Sequence, residues 1–79
     1  MRIINVIEIF NGQVIQMLSY PIYDEQLSQD QVDLAEAEFS SIAAENGVSE
    51  EDIESYLEDG RYEHSGGNWS VNLVWSNTN

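Results

Sequence analysis

Fourteen of the fifteen Asp and Glu residues in this 79-residue chain lie between Asp24 and Glu63. A run of that kind cannot be folded inward, because an unpaired buried carboxylate is far too costly. The segment must coat a surface. Its apolar residues recur at helical spacing, so it reads as two short helices covered with negative charge, held on a frame supplied by the stretches before and after it.

The stretch before it, RIINVIEIF over 2–10, is rich in β-branched residues and is followed by Asn11-Gly12 and then QVIQMLSY. Asn-Gly between two apolar runs is a strong hairpin signal, since both central residues of a type I′ turn need positive φ. A two-residue loop in a regular ladder pairs Ile9 with Val14, Ile7 with Gln16 and Ile3 with Tyr20. It leaves Ile4, Val6, Phe10, Ile15 and Met17 on the opposite face. Pro21, which has no N–H for a ladder, is expected to end the pairing.

In the acidic segment, Ser28 with Gln31 reads as a capping box, and Leu27 is placed to staple onto Val32. Val32, Ala35, Phe39, Ile42 and Ala43 form the buried stripe of the first helix, and Leu34, Ala37, Ser41 and Ala44 a small-residue stripe opposite Phe39. Asn46-Gly47-Val48 reads as a helix stop, with Gly47 left-handed and Val48 the apolar contact beyond it. Ser49 then caps a second helix with Asp52 at its third position, Ile53, Tyr56 and Leu57 face inward, and Gly60 ends it. The last stretch reads as a second hairpin turning over Ser65 to Asn68, with Trp69, Val71, Leu73 and Trp75 on one face. The expected fold is a single α+β domain over residues 1–79, in the order β-β-α-α-β-β. A three- to four-stranded antiparallel sheet carries the two acidic helices on one face.

Hydrophobic residues make up 42% of the chain, so it is apolar enough to fold despite a formal net charge of −13. With two Arg and no Lys, the chain lacks the cations that phosphate contacts need, which argues against direct binding of nucleic acid or of an anionic membrane. A partner should be basic. No stretch reads as a leader or a membrane span, and the expected location is the cytoplasm. No cysteine is present to form a thiolate metal site.

Nothing in the sequence points to an enzyme. His64 reads as an exposed residue of the second turn, and no arrangement of nucleophile, base and orienting group is visible. The acidic clusters around Glu50 and Glu58 lack the ligand pattern of a calcium-binding EF-hand loop, so neither metal nor cofactor is expected.

The acids themselves break local rules. Glu45, Glu58 and Asp59 sit in last turns, where the helix dipole disfavours them. Glu50–Glu54 and Glu54–Glu58 are like-charge pairs at i,i+4, each costing about 0.2–0.5 kcal/mol. Six acids in residues 49–59 give one charge per roughly 2.7 Å of helix axis, against about 1.7 Å for duplex DNA. Asp30, Asp33, Glu36, Glu45, Glu54, Glu58 and Asp59 are therefore the candidate contact residues for a partner. A solvated face that serves solubility, or a salt-rich cytoplasm, accounts for the same charge.

A short chain without Cys or Lys, with a small sheet and an acidic helical surface from Asp30 to Asp59, resembles the phage-encoded anti-CRISPR proteins of the DNA-mimic type. The resemblance covers size and charge and includes no motif, so no residue role carries over by position. It implies a cytoplasmic inhibitor in the infected host, which binds the basic DNA-recognition surface of a CRISPR effector subunit and blocks target DNA. The alternative is a small oligomerisation or scaffold protein using the apolar hairpin face or the small-residue stripe, and the chain is either a monomer or a homodimer.

Overall fold

Asn11 and Gly12 adopt φ values of 52° and 77°, the pair of left-handed residues that a type I′ turn requires. In the computed structural model, which describes residues 2–23, 28–58 and 63–77, this turn joins β1 (Arg2–Phe10) to β2 (Gln13–Ile22). Helices α1 (Ser28–Glu45) and α2 (Glu50–Glu58) follow, and then β3 (Glu63–Gly66) and β4 (Trp69–Asn77). The strands are antiparallel in the order β2-β1-β4-β3. The three long strands form the body of the sheet, and β3 pairs with β4 from Glu63↔Asn72 to Gly66↔Trp69.

The first hairpin departs from a regular ladder. Ile9 pairs with Val14 as expected, but Glu8 pairs with Gln16, Ile7 with Met17 and Ile3 with Pro21. Ile15 is the extra residue of a β-bulge. One extra residue reverses the parity of everything beyond it, so Leu18, Tyr20 and Ile22 fall on the face of Val6, Ile4 and Arg2. The bulge is what lets β2 contribute to the core. Pro21 does not end the pairing: β2 is an edge strand, where a residue without an N–H is tolerated, and the ladder runs on to Ile22.

The face assignment of the hairpin is corrected accordingly. Ile4 and Val6 are fully buried beneath α1, in one cluster with Ile22, Ala35, Phe39, Ile42, Ala43, Ile53 and Val71. The uncovered face instead carries Ile3, Ile7 and Ile9 of β1, with Met17 and Val14 of β2 paired to Ile7 and Ile9.

The buried stripe of α1 is as the spacing indicates, with Ala35, Phe39, Ile42 and Ala43 buried and Val32 packed at its margin. The helix is 18 residues long and fills the interval between Ser28 and the stop at Gly47. Leu27 and the acids before it lie outside the described residues, and with them the staple onto Val32. Gln31 donates from Nε2 to Pro21 O at 3.0 Å, tying the first turn of α1 back to the end of β2.

At the other end of α1, Gly47 N–H donates to Ala44 O and Val48 N–H to Ala43 O, each at 3.1 Å, with Gly47 at φ 87°. This is the paired arrangement of a Schellman stop, and Val48 packs against the core as its apolar contact. A Cβ at Gly47 would meet nothing within 4 Å, so Gly47→Ala should cost only the left-handed backbone penalty of roughly 1–2 kcal/mol. Thermal denaturation should show a fall in Tm of at least about 4 °C; an unchanged Tm would mean that the stop does not depend on glycine. No described helix is long and apolar enough to cross a membrane.

Candidate functional site

Helix α2 is set in place by its first residues. Ser49 Oγ accepts from Asp52 N–H at 3.2 Å, and Ser49 O accepts the first helical bond from Ile53 N–H at 3.0 Å, the two bonds of an N-cap. Ile53 is buried and Leu57 packs beside it, with α1 as the main neighbour of the helix. Burying Ile53 and Leu57 fixes which side faces out. Glu51, Glu54 and Glu58, spaced i, i+3 and i+7, share the outer side and are all exposed.

On α1 the acids are distributed differently. Opposite Phe39, the outermost ridge is Asp30, Leu34, Ala37, Ser41 and Ala44, all exposed. Asp33 and Glu36 continue from Asp30 in i+3 steps down one flank, while Glu38 and Glu45 lie on the other. Asp33 is exposed and accepts from Gln29 Nε2 at 2.9 Å, and Glu36 is half-buried.

Of the seven candidate contact residues, the structure therefore groups Glu54 with Glu58, and Asp30 with Asp33 and Glu36. Glu45 stands apart on the opposite flank of α1. Asp59 lies outside the described residues. Glu51 belongs to the α2 ridge as well, although it stands in the first turn, where the helix dipole by itself favours an acid. Its spacing from Glu54 and Glu58 was the available signal.

Glu8 and Arg2, both on β1, are engaged elsewhere. Glu8, the acid outside the acidic segment, accepts from Trp69 Nε1 at 2.8 Å and from Asn46 Nδ2 at 3.5 Å through Oε2. It ties β1 and β4 to the end of α1, where Asn46 also donates to Ile42 O at 2.9 Å. Arg2 lies 4.2 Å over the Trp75 ring, a cation–π contact on the sheet. Arg61, the other cation, lies outside the described residues. Burial, with a smaller contribution from Glu38, raises the pKa of the Tyr20 phenol and keeps it neutral at ordinary pH.

His64 sits in β3, paired with Val71, and not in the turn as expected. The turn is the two residues Gly67 and Asn68, with Gly67 at φ 61°. The two hairpin turns lie side by side, joined by Asn11 N–H donating to Asn68 O at 2.9 Å. They border an open cleft of about 500 Å³ lined by Asn11, Gly12, Gly67, Asn68, Trp69 and Ser70. None of these side chains titrates as an acid or base near neutral pH, so the cleft offers no proton-transfer chemistry. No cluster of three or more His, Asp or Glu able to hold a metal occurs among the described residues.

No protein-family model, curated protein or solved structure matches this chain.

Proposed function

We propose that the protein is an acidic inhibitor that occupies a basic nucleic-acid-binding surface on another protein, in the manner of the DNA-mimic anti-CRISPR proteins. The observation that carries this reading is the exposed ridge of Glu51, Glu54 and Glu58 on a helix whose other side is pinned to the core. Carboxylates at that density, on a rigid rod with no cation in its sequence, offer a phosphate-binding groove both the charge and the spacing it accepts. Asp30, Asp33 and Glu36 extend the acidic surface along α1. A CRISPR effector complex is the partner the resemblance favours, because its target channel is lined with cations that track a nucleic-acid backbone.

Competition tests the proposal. Guide-loaded effector complexes and other proteins with basic DNA grooves are immobilised, the protein is bound, and target duplex is titrated in. Mutual displacement is expected, and the complex should weaken as salt rises while the free protein gains stability from screening. Binding that duplex DNA leaves untouched would rule out mimicry.

A further inference from the structure

The sheet face turned away from α1 is the part of the molecule least like the rest of its surface. The three long strands place no ionisable residue on it, in a chain whose net charge is −13. Ile3, Ile7, Ile9, Val14, Met17 and Val74 supply its apolar surface, with Val14, Met17 and Val74 exposed at 60%, 59% and 44%. Its central polar residues bond to one another. Ser19 Oγ donates to Asn5 Oδ1 at 2.8 Å, and Asn5 Nδ2 donates to Ser76 Oγ at 3.0 Å, a row across β2, β1 and β4. Asn72 Nδ2 donates to Ser70 Oγ at 3.4 Å. Polar groups already paired sideways lose little when water is removed.

We propose that this face is a homodimer interface, in which two copies stack sheet against sheet about a twofold axis with their acidic helices outward. Charge selects the occupant. A basic partner is drawn to α1 and α2 and finds no counter-charge on this side of β1, β2 and β4, whereas a second copy brings the same three uncharged strand faces. Self-contact through either helix would press carboxylates together; this one puts two sheets, spaced roughly 10 Å apart, between the charged layers.

The area is also sufficient. Nine residues at about 3.4 Å and three strands at about 4.8 Å make a plate of roughly 30 by 14 Å. Two such plates total about 840 Å² in projection, which side-chain relief raises toward the roughly 1,200 Å² at the lower end of specific interfaces. Such a dimer is one of moderate affinity.

Sedimentation velocity from micromolar to millimolar protein, at moderate salt, tests it. The wild type should shift from monomer to dimer. Met17→Glu and Val74→Glu, each placing a carboxylate in the interface from an exposed position, should weaken the dimer roughly 100-fold or more. Leu34→Glu adds the same charge on the exposed ridge of α1 and should leave it intact. Amide shifts of the wild type on dilution, confined to the open face of β1, β2 and β4, provide a reading that needs no variant. A wild type that stays monomeric to millimolar overturns the proposal. So does a dimer insensitive to Met17→Glu and Val74→Glu, or one that Leu34→Glu weakens equally. None of these substitutions alters an acid of α1 or α2, so loss of partner binding and loss of the dimer are separable.

Discussion

Phe39→Ala should leave the protein largely unfolded near room temperature. Phe39 is fully buried, and Ile4, Val6 and Val71 from the sheet share its cluster with Ile42 and Ile53 from the helices. Truncating a core aromatic costs about 3–5 kcal/mol, because the surrounding side chains cannot close the space left behind. A chain of this length holds only about 4–12 kcal/mol in total, at roughly 0.05–0.15 kcal/mol per residue. The loss falls on the whole fold at once, since α2 rests mainly on α1 and α1 joins it to the sheet. Urea titration followed by circular dichroism measures the change, with Leu34→Ala on the exposed ridge as a substitution expected to shift stability by less than about 0.5 kcal/mol. A Phe39→Ala protein with an unchanged midpoint would mean that the helix buries a different stripe.

The second large effect is on binding and not on folding. Replacing Glu51, Glu54 and Glu58 together by Gln should reduce affinity for the basic partner by about 100-fold or more, since each charge-assisted contact contributes roughly 1.5–3 kcal/mol. Stability should barely move. Removing Glu51 forfeits a favourable first-turn charge worth about 0.3–1 kcal/mol, while removing Glu54 and Glu58 relieves a repulsive pair and an unfavourable last-turn charge of similar size. The matched control is Glu38→Gln with Glu45→Gln, on the flank of α1 away from Asp33 and Glu36, which should weaken binding far less. Calorimetric titration separates the outcomes. If the ridge variant binds as tightly as the parent, the acids of α2 serve solubility and the contact lies elsewhere.

How far the sequence reveals this molecule differs from element to element. Asn11-Gly12, Gly47 and Ser49 each have a conformational or hydrogen-bonding role that few other residues fill, so the first turn, the end of α1 and the start of α2 were legible to the residue. The stretch from Gln13 to Tyr20 was not. It holds apolar residues at both parities, and a period-of-two pattern cannot show where a bulge exchanges them. For that reason a regular ladder sets Ile4 and Val6 on one face with Ile15 and Met17, whereas in the structure they form the floor of the core and share their face with Leu18, Tyr20 and Ile22. The pairing of β1 with β4 leaves no local mark at all, being a contact between segments about seventy residues apart.

The acidic surface was legible as composition but not as geometry. Which carboxylates stand together depends on the rotation of each helix, and that is fixed by Ile53 on α2 and by Phe39 on α1. Glu51 stands in the first turn of α2 and Glu58 in the last, and only the buried positions show that they share one side with Glu54. The same rotation separates Glu45 from Asp33 and Glu36, which a reading along the chain had grouped.

The strand order has a further consequence for how the chain is made. Central strand β1 takes one neighbour from β2, translated a few seconds at most after it, and the other from β4, the last of the described strands to be made. Until β4 emerges, β1 has an open edge, and the bed for Phe39 lacks Val71. Nascent chains ending before Trp69 should therefore carry the hairpin and helical segments without a closed core, and completion awaits a single late docking event between the ends of the fold. Such long-range closure is slow compared with local helix formation. The dense negative charge of the middle segment is then useful before any partner is met, because chains that repel one another are kept from pairing their unfinished edges.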